Sequence, residues 1–451
     1  MASILGTLNS AMQALAAQQA AIETTTANIA NSNTEGYSRR RAVLEEAPPN
    51  SDGTPGSVTL ARIQALRDNI IDLRIQTETQ QQSANDAIAS ALQPVQLLFQ
   101  SGTNSIGDAL TKFFNALQSL STNPADSALR NNVLTAASNL ASAFQTASTQ
   151  ISQTQSNLDL KITQSVGSSN QMASQIADLN TRIQTARTEG RDASDLIDQR
   201  SQLLGDLSQL IDFSQFSDSE GVTLTTKDGV PLVIGGRSYE LTTSQDGNGH
   251  TLIFSGEQNI TSSIRGGSIG GTLTARDQDL AGLQDSLDSL ATDIASALNS
   301  ANAQGYDLNS NAGADLFSII SGRGAAASLT LAIDDSALIA ASSDSASGGS
   351  GNLANLLAVQ SQSGVGGKSP LSNYAGMVYA IGAQIATAQA ESSASGTMLQ
   401  QLKDQQGSVS GVNIDEEVTN LLTYQRAYQA AARVITTVNT LLQEAIDLGR
   451  R

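Results

Sequence analysis

Cysteine is absent from the chain, and histidine occurs once, at His250. Without cysteine there can be no disulfide, thiolate zinc site, iron–sulfur cluster or thiol nucleophile. A single imidazole also excludes zinc sites that are built on two histidines. The sequence therefore predicts no metal site and no cofactor.

Aromatic residues and positive charges are scarce as well. Aromatics make up 3% of the chain, with no tryptophan, although they usually dominate compact cores and small-molecule pockets. The 24 Lys and Arg residues face 42 Asp and Glu residues, which gives a net charge of −18 and no basic field for a nucleic acid or an anionic membrane. The composition favours long helices with narrow seams of small residues.

Long hydrophobic runs are missing too. No segment approaches the ~20 apolar residues of a membrane span, and the N-terminus MASILGTLNS lacks the features of a cleaved signal peptide. These absences favour the cytosol, but an export route without a cleaved signal leaves the same pattern. At 451 residues the chain is long enough for about three domains.

The N-terminus carries a heptad repeat. Apolar residues recur every seven positions, with Ile4 and Ala11 between them: Met1, Leu8, Leu15, Ile22 and Ile29. This spacing predicts a helix over residues 3–31. The helix should end in the turn-forming residues 31–36.

The C-terminus repeats the pattern. One predicted seam contains Ile414, Leu421, Tyr428, Ile435 and Leu442, and a second contains Val418, Gln425, Ala432, Asn439 and Ile446. Asn413 and Glu416 form a capping-box pattern at the helix start. Such seams are commonly internal core. Because isolated terminal helices are marginal, we expect these two to pair with each other and with neighbouring copies.

The region between the ends is mostly helical. Helical spacing covers 63–100, 106–121, 125–165, 168–212, 273–303 and 372–408, with breaks expected at Pro94, Gly102, Pro124 and Gly190. Alternation around Asp228-Gly229 predicts a hairpin over 222–234, and further strands are expected at 238–243, 251–255 and 328–333. The predicted fold class is mainly α with a β-rich insert.

Two segments resemble chemical sites. Residues 364–369 (GVGGKS) suggest a phosphate loop, but Gln362 stands where its first glycine belongs, so we interpret them as a linker. The oxygen-bearing residues Asp307, Asn309, Asn311 and Asp315 suggest a calcium loop. Because the glycine falls one place late and Ser318 replaces the expected glutamate, a surface turn is favoured.

His250 is interpreted as an exposed turn residue. The acidic pairs Asp334-Asp335 and Asp195 with Asp198 are interpreted as solvated faces. The sequence therefore predicts no catalytic, cofactor-binding or metal-binding residue.

Two motifs at opposite ends carry a family resemblance. Residues 27–39 (ANIANSNTEGYSR) resemble the N-terminal signature of bacterial flagellar rod, hook and hook-associated axial proteins. Residues 410–417 (SGVNIDEE) and 421–430 (LLTYQRAYQA) resemble the C-terminal signature of that family. Internal segments 195–200 (DLIDQR) and 268–280 are similar to segments of its hook–filament junction members.

The resemblance implies a non-enzymatic structural subunit, secreted by type III export and located at the hook–filament junction. The implied partners are the hook protein, the second junction protein, copies of the chain itself and an export chaperone at the C-terminal region. Alternatives are another axial protein, such as the second junction protein or a flagellin-like subunit, a secreted hydrolase that uses His250, or a coiled-coil adhesin.

The resemblance also implies three nested domains. We expect a coiled-coil-like inner-tube domain from 1–45 and 412–451. A helical middle domain is expected from 46–215, 269–304 and 350–411, and an outer β-rich insert from 216–268 and 305–349. The expected assembly seam consists of Leu8, Leu15, Ile22, Ile29, Ile414, Val418, Leu421, Tyr428, Ile435 and Leu442, and the family turn motif of Asn28, Asn31, Asn33, Gly36 and Tyr37.

Overall fold

A computed structural model describes most of the chain. The described residues are 2–34, 36–47, 56–99, 102, 105–218, 221–345, 348–361 and 367–448. Met1 and residues 362–366, which include the start of the predicted linker, lie outside them. The chain divides into two compact units, and the long helices contribute residues to both.

Unit 1 contains both chain ends and a middle segment: residues 1–80, 168–240 and 395–451. Its N-terminal part consists of helix α1 (Ala2–Ala30) and the antiparallel hairpin of β1 (Arg40–Glu46) and β2 (Val58–Ala65). Helix α11 (Ile414–Leu448) and the β1–β2 hairpin both pack against α1. A β-bulge between Val43 and Leu44 interrupts the hairpin register.

The rest of unit 1 consists of α5, parts of three longer helices and a four-stranded sheet. It includes the first part of α2 (Asn69–Phe99), the last part of α4 (Ser127–Thr188), α5 (Ser194–Leu210) and the end of α10 (Pro370–Ser410). A four-stranded antiparallel sheet follows in the order β3 (Ser214–Asp218), β4 (Gly221–Thr225), β5 (Pro231–Ile234) and β6 (Arg237–Ser238).

One asparagine attaches that sheet to α4. The side chain of Asn180 donates to the backbone oxygens of Val222 and Gly235 at 2.9 and 2.7 Å, and it accepts from Arg200 at 2.7 Å. Burial lowers the pKa of the Arg200 guanidinium to about 10. Asn180 thus fixes β4, the turn between β5 and β6, and α5 to one helix.

Unit 2 contains residues 81–167 and 241–394 and has a continuous apolar core. Its helices include α3 (Ile106–Leu120), α6 (Gly267–Thr274), α7 (Ala281–Ala303), α8 (Ala325–Ser328) and α9 (Leu353–Ala358), together with parts of α2, α4 and α10. A π-helical turn, Ala275–Leu280, connects α6 to α7.

Aromatic residues are concentrated in this core. Phe113 is fully buried and contacts Phe114 and Phe317 edge-to-face, with ring centroids 5.4 and 6.2 Å apart. Tyr374 stacks against Phe99 and donates from its hydroxyl to the Phe99 carbonyl at 2.8 Å. These aromatic residues thus serve packing in unit 2.

The β structure of unit 2 is small. Strands β7 (Leu241–Gln245), β8 (Thr251–Ser255) and β9 (Gln258–Asn259) form one antiparallel sheet, and β10 (Phe317–Ser318) pairs with β11 (Thr330–Leu331). The predicted hairpin around Asp228-Gly229 and the strand at 251–255 are confirmed, as is the mainly α fold class with a β insert.

Several local predictions are wrong. Pro94 lies inside α2, on its exposed side, where water can satisfy the carbonyl that loses its hydrogen bond. Residues 125–165 and 168–212 do not form two helices meeting near 166, because α4 continues unbroken to Thr188. The β1–β2 hairpin was not predicted. No helix among the described residues is long and apolar enough to cross a membrane. The three-domain division stays a prediction.

Candidate assembly site

The two terminal helices pack against each other as an antiparallel pair. Asn28, near the end of α1, bonds to Glu417, at the start of α11, and the helices pack along their length. A helix of 29 residues is about 44 Å long. Because the end of α1 contacts the start of α11, the two helices can remain in contact over this length only if they run in opposite directions. The pairing of the chain ends that the heptads indicate is therefore present within one chain.

The predicted seam residues of α1 are partly buried in the single chain. Leu8, Leu15, Ile22 and Ile29 are half-buried, and Ala11 is buried. A second buried side, with Ala17, Ala21, Thr24 and Asn28, completes the packing of α1.

On α11 one of the two rows of the seam lies one residue earlier in the sequence than predicted. Leu421, Tyr428, Ile435 and Leu442 are half-buried as expected. The second row of the seam is Glu417, Tyr424, Ala431 and Val438, whereas the predicted row of Val418, Gln425, Ala432, Asn439 and Ile446 is mostly exposed. Sequence reasoning missed this row because it begins with a charged residue.

Helix α11 also exposes many large apolar side chains. Only Glu417 and Val438 are buried along its 35 residues. The exposed set, at 41–75% of the full side-chain surface, is Ile414, Val418, Leu422, Val434, Leu441, Ile446 and Leu448. Ile414 and Val418 are therefore exposed in the single chain, their place in the assembly seam stays a prediction, and α11 keeps apolar surface outside its contact with α1.

Asn28 and Glu417 form the polar end of the pair. Both are almost completely buried, with 1% and 2% of their surface exposed. The Asn28 side-chain amide donates to Glu417 Oε2 at 2.9 Å and to the Arg40 carbonyl at 2.8 Å. Its oxygen accepts from the Tyr37 hydroxyl at 2.8 Å and the Arg40 N–H at 3.0 Å. The amide of Asn28 is thus fully satisfied.

Arg39 neutralises the acidic start of α11. Its Nε donates to Glu417 Oε1 at 2.8 Å, and its Nη2 lies 2.8 Å from Glu416 Oε1 and from Glu417 Oε1. The Arg39 guanidinium lowers the pKa of the exposed Glu416 carboxyl, and the Glu416 hydrogen bond raises the pKa of Arg39. The Arg39 N–H also donates to the Ser410 carbonyl at 2.9 Å.

Asn28 of the predicted turn motif lies in the last turn of α1, and the other residues of the motif follow that helix. Gly36 has φ +80°, a backbone conformation that favours glycine, and Asn31 donates from its side chain to the Ala27 carbonyl at 2.9 Å. Asn33 is exposed. Burial raises the pKa of Tyr37, whose ring lies 5.0 Å from the Arg40 guanidinium carbon.

A second ionic cluster attaches the hairpin to α5. Arg40 binds Asp195 and Asp198, and Arg67 binds Asp198 and donates to Ser201 Oγ at 2.9 Å. Burial lowers the pKa of Arg67. The prediction of a solvated face is therefore wrong for Asp198, whose side chain is 13% exposed because two arginines bind it.

The start of α11 is capped by Asn413, as predicted, but not by a reciprocal capping box. Asn413 Oδ1 accepts from the N–H groups of Asp415 and Glu416 at 3.0 and 3.4 Å. The Glu416 side chain binds Arg39. Glu416 thus forms a long-range ion pair with Arg39 instead of the hydrogen bond to Asn413 that would complete a capping box.

The other candidate sites are occupied by internal contacts. Asp307 accepts from the N–H groups of Asn309 and Asn311, each at 2.8 Å. His250 Nδ1 lies 3.4 Å from Asp159 Oδ2, and Asp159 Oδ1 is bound by Arg276. Among the described residues, no three His, Cys, Asp or Glu side chains are grouped to hold a metal ion.

Three known protein families match this chain, one at each end and one in the middle. Residues 8–37 match the family described as "Flagella basal body rod protein", and 405–448 match "Flagellar basal body rod FlgEFG protein C-terminal". Residues 92–317, half of the chain, match "Flagellar hook-associated protein FlgK helical domain". The chain belongs to the flagellar hook-associated protein family. As a member, it is a structural component of the bacterial flagellum at the hook–filament junction, outside the cell.

Curated relatives of the hook-associated family align over almost the whole chain. Flagellar hook-associated protein 1 of Bacillus subtilis is 29% identical, covering 99% of each chain. Its counterpart in Escherichia coli is 28% identical, covering 98% of this chain and 99% of its own. A solved flagellar hook junction protein from Burkholderia pseudomallei, 19% identical, matches the fold with a TM-score of 0.67 over 74% of this chain and all of its own.

Proposed function

We propose that this chain connects hook to filament by assembling through the α1–α11 pair. The observation that carries this proposal is the surface of α11, which leaves large apolar residues such as Ile414, Leu422 and Leu441 exposed in a single chain. Contiguous exposed apolar surface marks a binding site. The occupant we propose is the terminal helices of neighbouring copies, which carry the same surface.

The energy of this docking comes from apolar burial. Fully burying one large apolar side chain contributes about 1.5–3 kcal/mol, reduced by the entropy of ordering the helices. Because each copy has neighbours on both sides, these contributions add around a ring. The seam residues and the turn motif would hold the pair in the shape that neighbours recognise.

The proposed partners follow from the position of this chain at the hook–filament junction. We propose the hook protein on one side, the second junction protein on the other and further copies of this chain laterally. The exposed surface of α11 supports an export chaperone at the C-terminal region, since apolar surface needs cover before assembly. Residues 1–45 and 412–451 would form the inner tube, the remaining helices a middle domain and 216–268 with 305–349 an outer domain.

We further propose that the chain has no catalytic role. His250 contacts an aspartate that Arg276 and the Thr251 N–H already bind, an arrangement that holds the β7–β8 turn on α4. Loss of a measurable turnover in a His250→Ala variant would contradict this and favour the hydrolase alternative.

Deletion of the gene tests the junction role. Cells that lack the chain should keep their hooks, lose their filaments and release filament monomers into the medium, as seen by electron microscopy and by analysis of the culture supernatant. Filaments of normal length on such cells would contradict the proposal. Loss of hooks as well would favour a role earlier in the axial structure.

A further inference from the structure

The α1–α11 pair contains one buried charge in a seam that is otherwise uncharged. Glu417 occupies the first seam position of α11, followed by Leu421, Tyr424 and further apolar or aromatic residues. A buried carboxylate is costly unless it is paired and hydrogen-bonded. Here both oxygens have partners, Asn28 at 2.9 Å and Arg39 at 2.8 Å.

The apolar seam residues select weakly between alignments. The helices are antiparallel, so steps of seven along both from the Asn28–Glu417 contact reach matched positions. These successive pairs are Ala21 with Tyr424, Ala14 with Ala431, and Thr7 with Val438. Sliding one helix by a heptad would again place small residues of α1 against apolar or aromatic residues of α11.

We propose that Glu417, held by Asn28 and Arg39, sets the register of α1 against α11, an inference that rests on the assembly role proposed above. A slip by one heptad places Glu417 beside the buried Ala21, out of reach of both partners, and leaves a buried carboxylate unpaired. A single polar seam residue fixes register in coiled coils for the same reason.

Register matters because assembly uses two helices at once. A slip of one heptad displaces α1 along α11 by about 10 Å. The exposed apolar residues of the two helices, such as Met12 and Leu441, would then no longer face a neighbouring copy in the same arrangement. One alignment is therefore required for identical copies to fit together.

Disulfide trapping tests the register directly, because the natural chain has no cysteine to compete. One full-length variant carries Ala14→Cys with Ala431→Cys, the pair matched when Asn28 lies at Glu417. A second carries Thr7→Cys with Ala431→Cys, the pair matched after the one-heptad slip that places Glu417 beside Ala21. Oxidation and gel mobility measure the intrachain cross-link in purified protein and in isolated flagella.

With Glu417 present, the first pair should cross-link roughly tenfold or more above the second. With Glu417→Leu, which fills the space but carries no charge, the two pairs should cross-link to similar extents. Glu417→Gln keeps an acceptor for Asn28 and should restore the preference. Glu416→Leu is the matched control, since Glu416 also binds Arg39 but its side chain is 54% exposed, outside the seam.

An unchanged preference in Glu417→Leu would overturn the proposal. Loss of both cross-links in that variant would overturn it too, because Glu417 would then hold the helices together without selecting an alignment. The cross-links report register within one chain. They can therefore support the register role even if deletion contradicts the junction role, and the reverse also holds.

Discussion

Helices α7 and α11 belong to one chain but use their apolar residues in opposite ways. Nine of the 23 residues of α7 are buried, whereas α11 buries two of its 35. Helix α7 packs into the core of unit 2 and needs no further partner. Helix α11 has one packed side and apolar surface left over. The comparison separates a helix whose apolar side chains are covered in the single chain from one whose apolar side chains remain exposed.

The two regions also differ in what defines their structure. In unit 2, buried phenylalanines and leucines interlock, so shape selects one packing. In the terminal pair, repeated small and branched residues fit in several alignments, and the polar contacts of Asn28, Arg39 and Glu417 supply the selection. A substitution in one of these regions should leave the stability of the other unchanged.

The largest effect on stability is expected from the unit 2 core. Phe113→Ala removes a fully buried ring in contact with Phe114 and Phe317. The free energy of unfolding of unit 2 should fall by about 3–5 kcal/mol. Denaturant unfolding followed by hydrogen exchange in α7 measures this. A loss below about 1 kcal/mol would mean that the site is not tightly packed.

An intermediate effect is expected from the polar end of the terminal pair. Glu417→Ala leaves Asn28 short of one acceptor and Arg39 with Glu416 alone, and it opens a cavity in the seam. The free energy of opening of α1 and α11 should fall by about 2–4 kcal/mol. Hydrogen exchange of their amides measures it, with Glu416→Ala as the exposed control. Equal losses in both variants would contradict a special role for the buried residue.

The smallest effect concerns Asp279 in the π-helical turn. Burial raises its pKa to about 6, and its Oδ2 accepts no hydrogen bond from the described residues. The folded state therefore keeps a proton that the unfolded state releases near pH 4, so this group destabilises unit 2 as the pH rises from about 4 to 6.

Asp279→Asn should remove that dependence and stabilise unit 2 at pH 7 by about 1 kcal/mol, after allowance for solvent screening. Thermal unfolding at pH 4 and pH 7 measures both effects. A variant that is less stable than the parent at pH 7 would show that the carboxylate has a stabilising partner.

The sequence predicts the regular features of the chain and misses those that depend on distant partners. Heptads reveal both terminal helices and the row of Leu421, Tyr428 and Ile435, because spacing is a local property. The burial of Glu417 depends on Asn28, 389 positions away, and no local pattern encodes that contact. The same reason explains the loss of the capping box, since Glu416 pairs with Arg39.

The β1–β2 hairpin and Pro94 show the same limitation. Residues 40–46 (RRAVLEE) do not alternate cleanly between apolar and polar, and the bulge at Val43 and Leu44 shifts the register. Packing against α1 stabilises this hairpin. A proline normally ends a helix, but Pro94 is tolerated because it lies on an exposed side of α2.

The central claim is that the terminal helices serve assembly while unit 2 folds independently of them. Leu421→Asp tests it most directly, with Leu160→Asp, at an exposed position of α4, as the matched control. Each variant is expressed as the only copy in a deletion strain. We expect both variants to leave the unfolding of unit 2 unchanged. Cells carrying Leu421→Asp should form no filaments, whereas cells carrying Leu160→Asp should form them. Normal filaments on cells carrying Leu421→Asp would contradict the account.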